Sequence, residues 1–329
     1  MTDNSLSKNN RIGSQSGLSL QQREKPNPEE TTAVQIWRRG ENEASILYDP
    51  WCTNQNAQVV HGHYHTSWAS NIFFNHQDGI FKKPALFDWR GKTVYIVGRG
   101  ASYKKNTEVL NSVERKNPAI FVSTAYVDCD LQPVDYVMVA DNRALLSAGD
   151  ERFGKFQYKG AVDNPLISFP GIDGDITRDN WRGVYGFNPW TQSPLNNFMR
   201  EIFPHLPPVL DILCTSVMAS HLATLNGAKN VVYLGMDNTK KGAFKDMIKT
   251  KDIHGEKCKT IAGYFEMSSA VSQFAGISRF HSDTKFINAT GSGILGVNYF
   301  ESVEKKELVL FPWMEQTTAE EAIERYENA

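Results

Sequence analysis

Long apolar runs, paired cysteines and excess charge are all scarce in this chain, and each absence excludes something. No stretch of about 18 apolar residues occurs, so a membrane-spanning helix is not expected. Four cysteines (Cys52, Cys129, Cys214, Cys258) are scattered through 329 residues with no C-x-x-C spacing, which excludes a small disulfide framework and fits a reducing compartment. The net charge of −2 gives no electrostatic footprint for nucleic acid. The N-terminus, MTDNSLSKNN, is polar and lacks the apolar core of a signal peptide. Together these features lead us to expect a cytoplasmic protein with no membrane partner.

What is present is an ordinary globular composition, 40% hydrophobic and 22% charged, unevenly distributed along the chain. Residues 1–32 are read as a flexible tail, because the Ser, Asn, Gln and Lys of Met1 to Glu30 cannot bury enough surface to offset chain entropy. Residues 33–90 form an irregular, aromatic-rich region. From Lys92 onward, short runs rich in β-branched and aromatic residues (TVYIVG, PAIFVST, DYVMVA, NVVYLG, KFINAT) alternate with helical patterns. This alternation predicts an α/β fold with a doubly wound, mostly parallel, Rossmann-like sheet over 91–303. Residues 304–329 read as a C-terminal extension ending in a surface helix, opened by a capping-box spacing from Thr318 to Glu321. The helix before NVVYLG ends at Gly227, a residue suited to the position just past a helix C-cap.

The loop after the first strand of this pattern, V-G-R-G-A-S-Y, places Gly98 and Gly100 where strand becomes helix. There, backbone amides and the helix N-terminus can receive a phosphate, with Ala101 in the turn and Ser102 adding a hydroxyl. A ligand-free tight turn is the bland alternative. A dinucleotide fingerprint fails, because its third glycine is replaced by Tyr103, and no G-K-[ST] of a Walker loop is present. Valine at Gly98 and Gly100 is expected to abolish donor binding and leave the fold intact.

Four segments read together resemble one family. V-G-R-G-A-S-Y, LQPVDYVMVAD, TSVMASHLATLNGAKNVVYLGMD and KFINATGSGILGV follow the order found in the family of archaeal 6-hydroxymethylpterin diphosphokinases and bacterial motility accessory factors (Maf), which are flagellin nonulosonate glycosyltransferases. The likeness runs from about Gly91 to Val303. Residues 215–237 also resemble a segment of bacterial sialyltransferases that use CMP-activated sugars. The resemblance implies a nucleotide or nucleotide-sugar donor as the small-molecule partner, held by Gly98, Gly100, Ala101, Ser102, Thr215, Ser216, Asp237, Asn288 and Thr290. Asp237 would contact ribose or base, or else cap a turn. Thr215 and Ser216 would face donor phosphate or carboxylate, or else satisfy backbone groups.

Two departures shape the chemistry. The strand that ends in paired carboxylates in the diphosphokinases ends here in VADNR, where Asp141 stands beside Asn142. That counts against a two-carboxylate Mg²⁺ site and against pyrophosphoryl transfer. No base stands out either: His221 and Asp141 are the catalytic candidates, His254 and His281 are weaker, and Lys104 and Arg143 could neutralise phosphate. His61, His63 and His65 alternate in HGHYH, a spacing that can ligate a transition metal from one strand face, line an active site, or simply form a polar sheet face. Trp51, Tyr64, Trp68, Phe73 and Phe74 could stack on a sugar or base, or sit in a core. The Gly- and Pro-rich segment from Phe169 to Phe198 reads as a binding loop or lid; its Asp173, Asp175 and Asp179 are read as turn formers. The expected function is a nucleotide-dependent transferase, first a glycosyltransferase with a nucleotide-activated sugar donor, such as a CMP-linked one. An ATP- and Mg²⁺-dependent pterin diphosphokinase and a non-catalytic nucleotide-binding module are the alternatives. The acceptor is not legible.

Overall fold

The computed structural model describes residues 71–127, 129–140, 163–172, 181–190, 194–210, 214–238, 261–291 and 293–328, together with the backbone of strands at 18–22, 33–39 and 42–48. The chain divides into two compact units. The first takes in Met1–Pro84, Ser168–Asp179 and Val184–Pro208; the second takes in Ala85–Ile167, Asn180–Gly183 and Val209–Ala329.

In the first unit, β1 (Leu18–Gln22), β2 (Ala33–Arg39) and β3 (Asn42–Tyr48) form an antiparallel sheet with Leu18 opposite Arg39 and Ala33 opposite Tyr48. β1 falls inside the segment that composition marks as a tail. At five residues it is short enough to be hidden by the polar residues around it. A helical segment over 71–77 (α1) is anchored by two buried asparagines. Asn71 donates to the Gly171 carbonyl at 2.9 Å, and Asn75 to those of Pro170 and Ile172 at 2.7 Å each. Beside them Phe74 is buried and meets the partly buried Phe73 edge-on, so these two rings serve a core rather than a sugar. β4 (Lys83–Pro84) pairs in parallel with β9 (Val184–Gly186), and β10 (Asn188–Trp190) and α3 (Pro194–Ile202) follow. The segment read as one long loop thus carries strands and a helix. Its strands are too short to show a period.

The second unit contains the doubly wound sheet. β5 (Thr93–Val97), β6 (Ala119–Val122), β7 (Tyr136–Met138), β8 (Leu166–Ser168), β12 (Asn230–Leu234), β13 (Lys285–Asn288) and β14 (Met314–Gln316) lie in the order β14-β13-β12-β5-β6-β7-β8, with β11 (Pro208–Leu210) outside that run. These neighbours pair in parallel. Every residue of β5, β6 and β12 is buried, as a parallel strand covered on both faces requires, and this is why they read as apolar runs, with only Thr93 and Asn230 polar and paired with each other. α2 (Tyr103–Asn111) packs with α7 (Ala319–Glu327), and α4 (Thr215–Leu225) with α5 (Ile261–Ser278); the two pairs form the layers flanking the sheet. α6 (Tyr299–Lys305) precedes β14.

The helix punctuation follows the sequence closely. Asn226 closes α4 and Gly227 follows at φ +80°. Thr318 and Glu321 form the capping box of α7. Burying this much apolar strand surface at about 25 cal/mol per Å² is the main stabilising term of the unit.

Candidate functional site

β5 is the strand at which the sheet reverses its winding. β6, β7 and β8 extend to one side of it and β12, β13 and β14 to the other, so the crevice past the C-terminal ends of β5 and β12 is the topological switch point where such sheets bind ligands. Val97 and Leu234 lie in register there, and the two following loops meet.

The meeting is intimate. The Gly98 amide donates to the Leu234 carbonyl at 2.9 Å and the Gly100 amide to the Gly235 carbonyl at 2.6 Å. The Ser102 amide and hydroxyl both donate to Asp237 Oδ2, at 2.9 and 2.7 Å, and Asp237 is fully buried. Buried Asn106 of α2 accepts the Gly235 amide at 2.9 Å. From the far side the Ile294 amide donates to the Asp237 carbonyl at 3.1 Å, and Gly293, at φ +84°, lets the third loop lie against the Asp237 backbone. Three loops are therefore interlocked, with the Asp237 carboxylate seated at the N-terminus of α2, where the helix field favours it.

This geometry revises several expected roles. The amides of Gly98, Gly100 and Ser102 are committed to protein acceptors, so they cannot also cradle a phosphate. A Cβ on Gly100 would lie 2.7 Å from the Gly235 carbonyl oxygen and 2.9 Å from the Asp237 nitrogen, so valine there would break the loop packing rather than spare the fold. Asp237 clamps the loops through Oδ2. The glycine missing at position 103 is supplied from the other loop. Gly235, at φ +61°, allows Gly98 and the Cα of Tyr103 to approach, and the Tyr103 hydroxyl donates to the Ala125 carbonyl.

The remaining expected residues are likewise engaged. Asn288 Oδ1 accepts the amide and hydroxyl of Thr290 at 3.1 and 2.7 Å, while its Nδ2 donates to the Leu295 carbonyl and Gln316. Both residues are buried, so they shape the third loop. α4 starts after Cys214 in extended conformation; the Ser216 hydroxyl meets Met236 Sδ at 3.4 Å, and half-buried Thr215 sits at the first helical position. His221 Nδ1 accepts the Leu210 amide at 2.7 Å and its ring lies 5.6 Å from that of Phe274. Burial holds this imidazole below its ordinary range, so it is a neutral helix histidine with one nitrogen already occupied, not a poised base. His281 is exposed at the end of α5. Asp141, Arg143, His254, His61, His63, His65, Trp51, Tyr64, Trp68, Asp173, Asp175 and Asp179 lie outside the described residues.

Beside the interlocked loops the molecule opens into a cavity of about 620 Å³. One wall is a single face of α2, formed by Tyr103, Lys104, Thr107, Glu108 and Asn111; Arg99, Gly100 and Ala101 lie at its N-terminal end, and Cys129 and Asp130 form the opposite wall. It exists because the β6–β7 connection, where described, makes turns over 123–127 and no helix, leaving that face of α2 uncovered. Of the expected residues, Gly100, Ala101 and Lys104 line it. Arg99 and Lys104 are exposed beside the first turn of α2, which contains no acidic residue. Glu108 and Asp130 place carboxylates further along. Cys129 accepts a hydrogen bond from Asn111 Nδ2 at 3.2 Å, yet burial outweighs this and pushes its thiol up. Thr107, Glu108, Asn111, Cys129 and Asp130 were not singled out from the sequence. The available signal was the spacing 103, 104, 107, 108, 111 on one helix face, followed by a strand with no helical pattern after it.

Among the described residues no group of three His, Cys, Asp or Glu is placed to hold a metal ion, and no helix is long and apolar enough to cross a membrane. No family model matches the chain, and no curated protein matches it. Among solved structures, it is similar to that of a MAf glycosyltransferase from Magnetospirillum magneticum AMB-1, with 16% identity and a TM-score of 0.49 over 79% of this chain and 38% of that one. The chain thus spans well under half the length of that glycosyltransferase, and a likeness of this size does not assign an activity.

Proposed function

We propose that this chain is a nucleotide-dependent transferase that moves a glycosyl group from a nucleotide-activated sugar. The observation that carries the reading is the 620 Å³ cavity at the C-terminal end of β5, a volume in the range of small-molecule sites, with cationic side chains at the helix N-terminal end and carboxylates beyond. Arg99 and Lys104 hold the donor phosphates and stabilise the charge that grows on the departing phosphate. Glu108 or Asp130 accepts the proton of the incoming hydroxyl. The resemblance of residues 215–237 to sialyltransferases makes a CMP-linked sugar the first donor to test.

The test is calorimetric titration of the full chain with CMP, CDP, UDP, GDP and ATP, each with and without Mg²⁺, followed by incubation with the matching nucleotide sugar and detection of released nucleotide. Metal-independent binding of one pyrimidine nucleotide, with release from its sugar, supports the proposal. Binding of ATP only with Mg²⁺ would replace it with the diphosphokinase reading. Binding without turnover on any donor would leave a nucleotide-binding module.

A further inference from the structure

At the N-terminal end of the same sheet, four buried side chains converge with their polar valences unfilled. Tyr95 in β5 and the side chains of Arg115 and Asp135 are fully buried, and Glu327 at the end of α7 is 5% exposed. Part of the cluster is satisfied. Arg115 Nη2 donates to Asp135 Oδ2 at 2.6 Å, the Gln132 amide donates to the same oxygen at 2.8 Å, and the Lys116 amide donates to Glu327 Oε2 at 2.9 Å. Arg115 Nε and Nη1 and Asp135 Oδ1 have no hydrogen-bond partner in the protein, and the Tyr95 hydroxyl and Glu327 Oε1 face each other without a well-formed hydrogen bond between them.

Each such orphan costs about 1–3 kcal/mol, more when charged, and native proteins keep only a few in every hundred residues. Five in one place call for an occupant. The orphan set dictates its chemistry, because Arg115 offers donors, the two carboxylates offer acceptors and Tyr95 offers either. Two carboxylates repel an anion and the guanidinium repels a cation. Water supplies both donors and acceptors and meets two to four partners in such sites. Tyr95 also feels the cluster directly: burial first, then the Glu327 carboxylate, push its ionisation well above the usual tyrosine range. Glu327 needs this compensation, because a carboxylate at a helix C-terminus opposes the helix dipole.

We propose that Tyr95, Arg115, Asp135 and Glu327 enclose ordered water that bridges Arg115 to Glu327 and Tyr95, and that through this bridge the C-terminal helix holds the Cys129–Asp130 wall of the cavity. The link to the wall is short. Asp135 fixes the Gln132 amide and the Gln132 side chain accepts the Arg115 amide at 3.0 Å, and this loop begins with Cys129 and Asp130. Asn164 braces it by donating to the Gln132 and Asp135 carbonyls at 2.7 and 3.1 Å.

Two measurements test the proposal. A high-resolution crystal structure of the unmodified full chain should show water within about 2.7–3.2 Å of at least three of the orphan atoms. A dry cluster, with Arg115 Nε or Nη1 or the Tyr95 hydroxyl directly on Glu327 Oε1, overturns it. In solution, peptide-resolved alkylation of Cys129 should run at least about tenfold faster in Glu327→Ala than in the exposed control Glu324→Ala, the rate change expected if local opening becomes easier by 1.4 kcal/mol. Glu327→Gln, which keeps the shape and loses the charge, should fall between them. Equal rates in all three overturn the link to the cavity wall.

Discussion

Replacing Asp237 by alanine separates a structural clamp from a ligand contact. Its Oδ2 accepts two hydrogen bonds from Ser102 inside a site with no solvent access. Hydrogen bonds to a charged group contribute about 1.5–3 kcal/mol each, and Ser102 is only half-buried, so the lower end applies and the loss should be about 3–4 kcal/mol. Ser102→Ala removes the hydroxyl bond alone and should cost about 1–1.5 kcal/mol. The double variant should fall short of the sum of the two by about 1 kcal/mol, because the shared bond is lost only once. Denaturant unfolding followed by far-ultraviolet circular dichroism gives the stabilities, and nucleotide titration at a temperature where all variants are folded gives the affinities. If Asp237→Ala unfolds within about 0.5 kcal/mol of the parent, a shift typical of a surface change, and loses nucleotide binding instead, the clamp is wrong and Asp237 belongs to the ligand.

Four further outcomes follow from the geometry. Gly100→Ala should destabilise by about 2–3 kcal/mol, as overpacking against backbone does, measurable in the same unfolding experiment. Because burial holds folded His221 below its ordinary value of 6.5, the unfolded chain binds that proton first on acidification. Its contribution is therefore complete above 6.5 and is lost as pH falls from 6.5 toward the depressed folded value; His221→Gln should flatten this part of the stability–pH curve. Arg115→Met leaves Asp135 as a buried uncompensated charge and should cost about 3–5 kcal/mol, seen as a lowered melting temperature. Thr318→Ala removes the capping-box acceptor of α7 and should cost about 1 kcal/mol in denaturant unfolding.

The strands and helices of the second unit were legible because local signals and burial agree there. β5, β6 and β12 are buried throughout and apolar but for Thr93 and Asn230 at their starts, and Gly227 and Thr318 mark helix ends by their own chemistry. β8, β9, β10 and β14 span three residues each, too few for a period to show, and β1 is masked by its polar surroundings. The hydrogen-bond partners of the loop residues were not legible. Gly98, Ser102, Asp237 and Asn288 stand at one sheet edge in the structure, but a glycine amide aimed at a phosphate and one aimed at Gly235 look alike until the second loop is in position. The cavity was hidden for a related reason, since it depends on an absent helix between β6 and β7 and on Cys129 and Asp130 facing α2 across a sequence separation that no pattern reports.

The measurement closest to the central claim is a nucleotide titration of the full chain against Arg99→Ala/Lys104→Ala, a pair of exposed side chains whose removal should leave the fold unchanged. The account predicts that a nucleotide binds the parent and that the double variant binds it at least about tenfold more weakly, a loss of 1.4 kcal/mol or more from two phosphate contacts. Equal affinity in both proteins would place the nucleotide elsewhere, and no binding of any nucleotide to the parent would contradict the account outright.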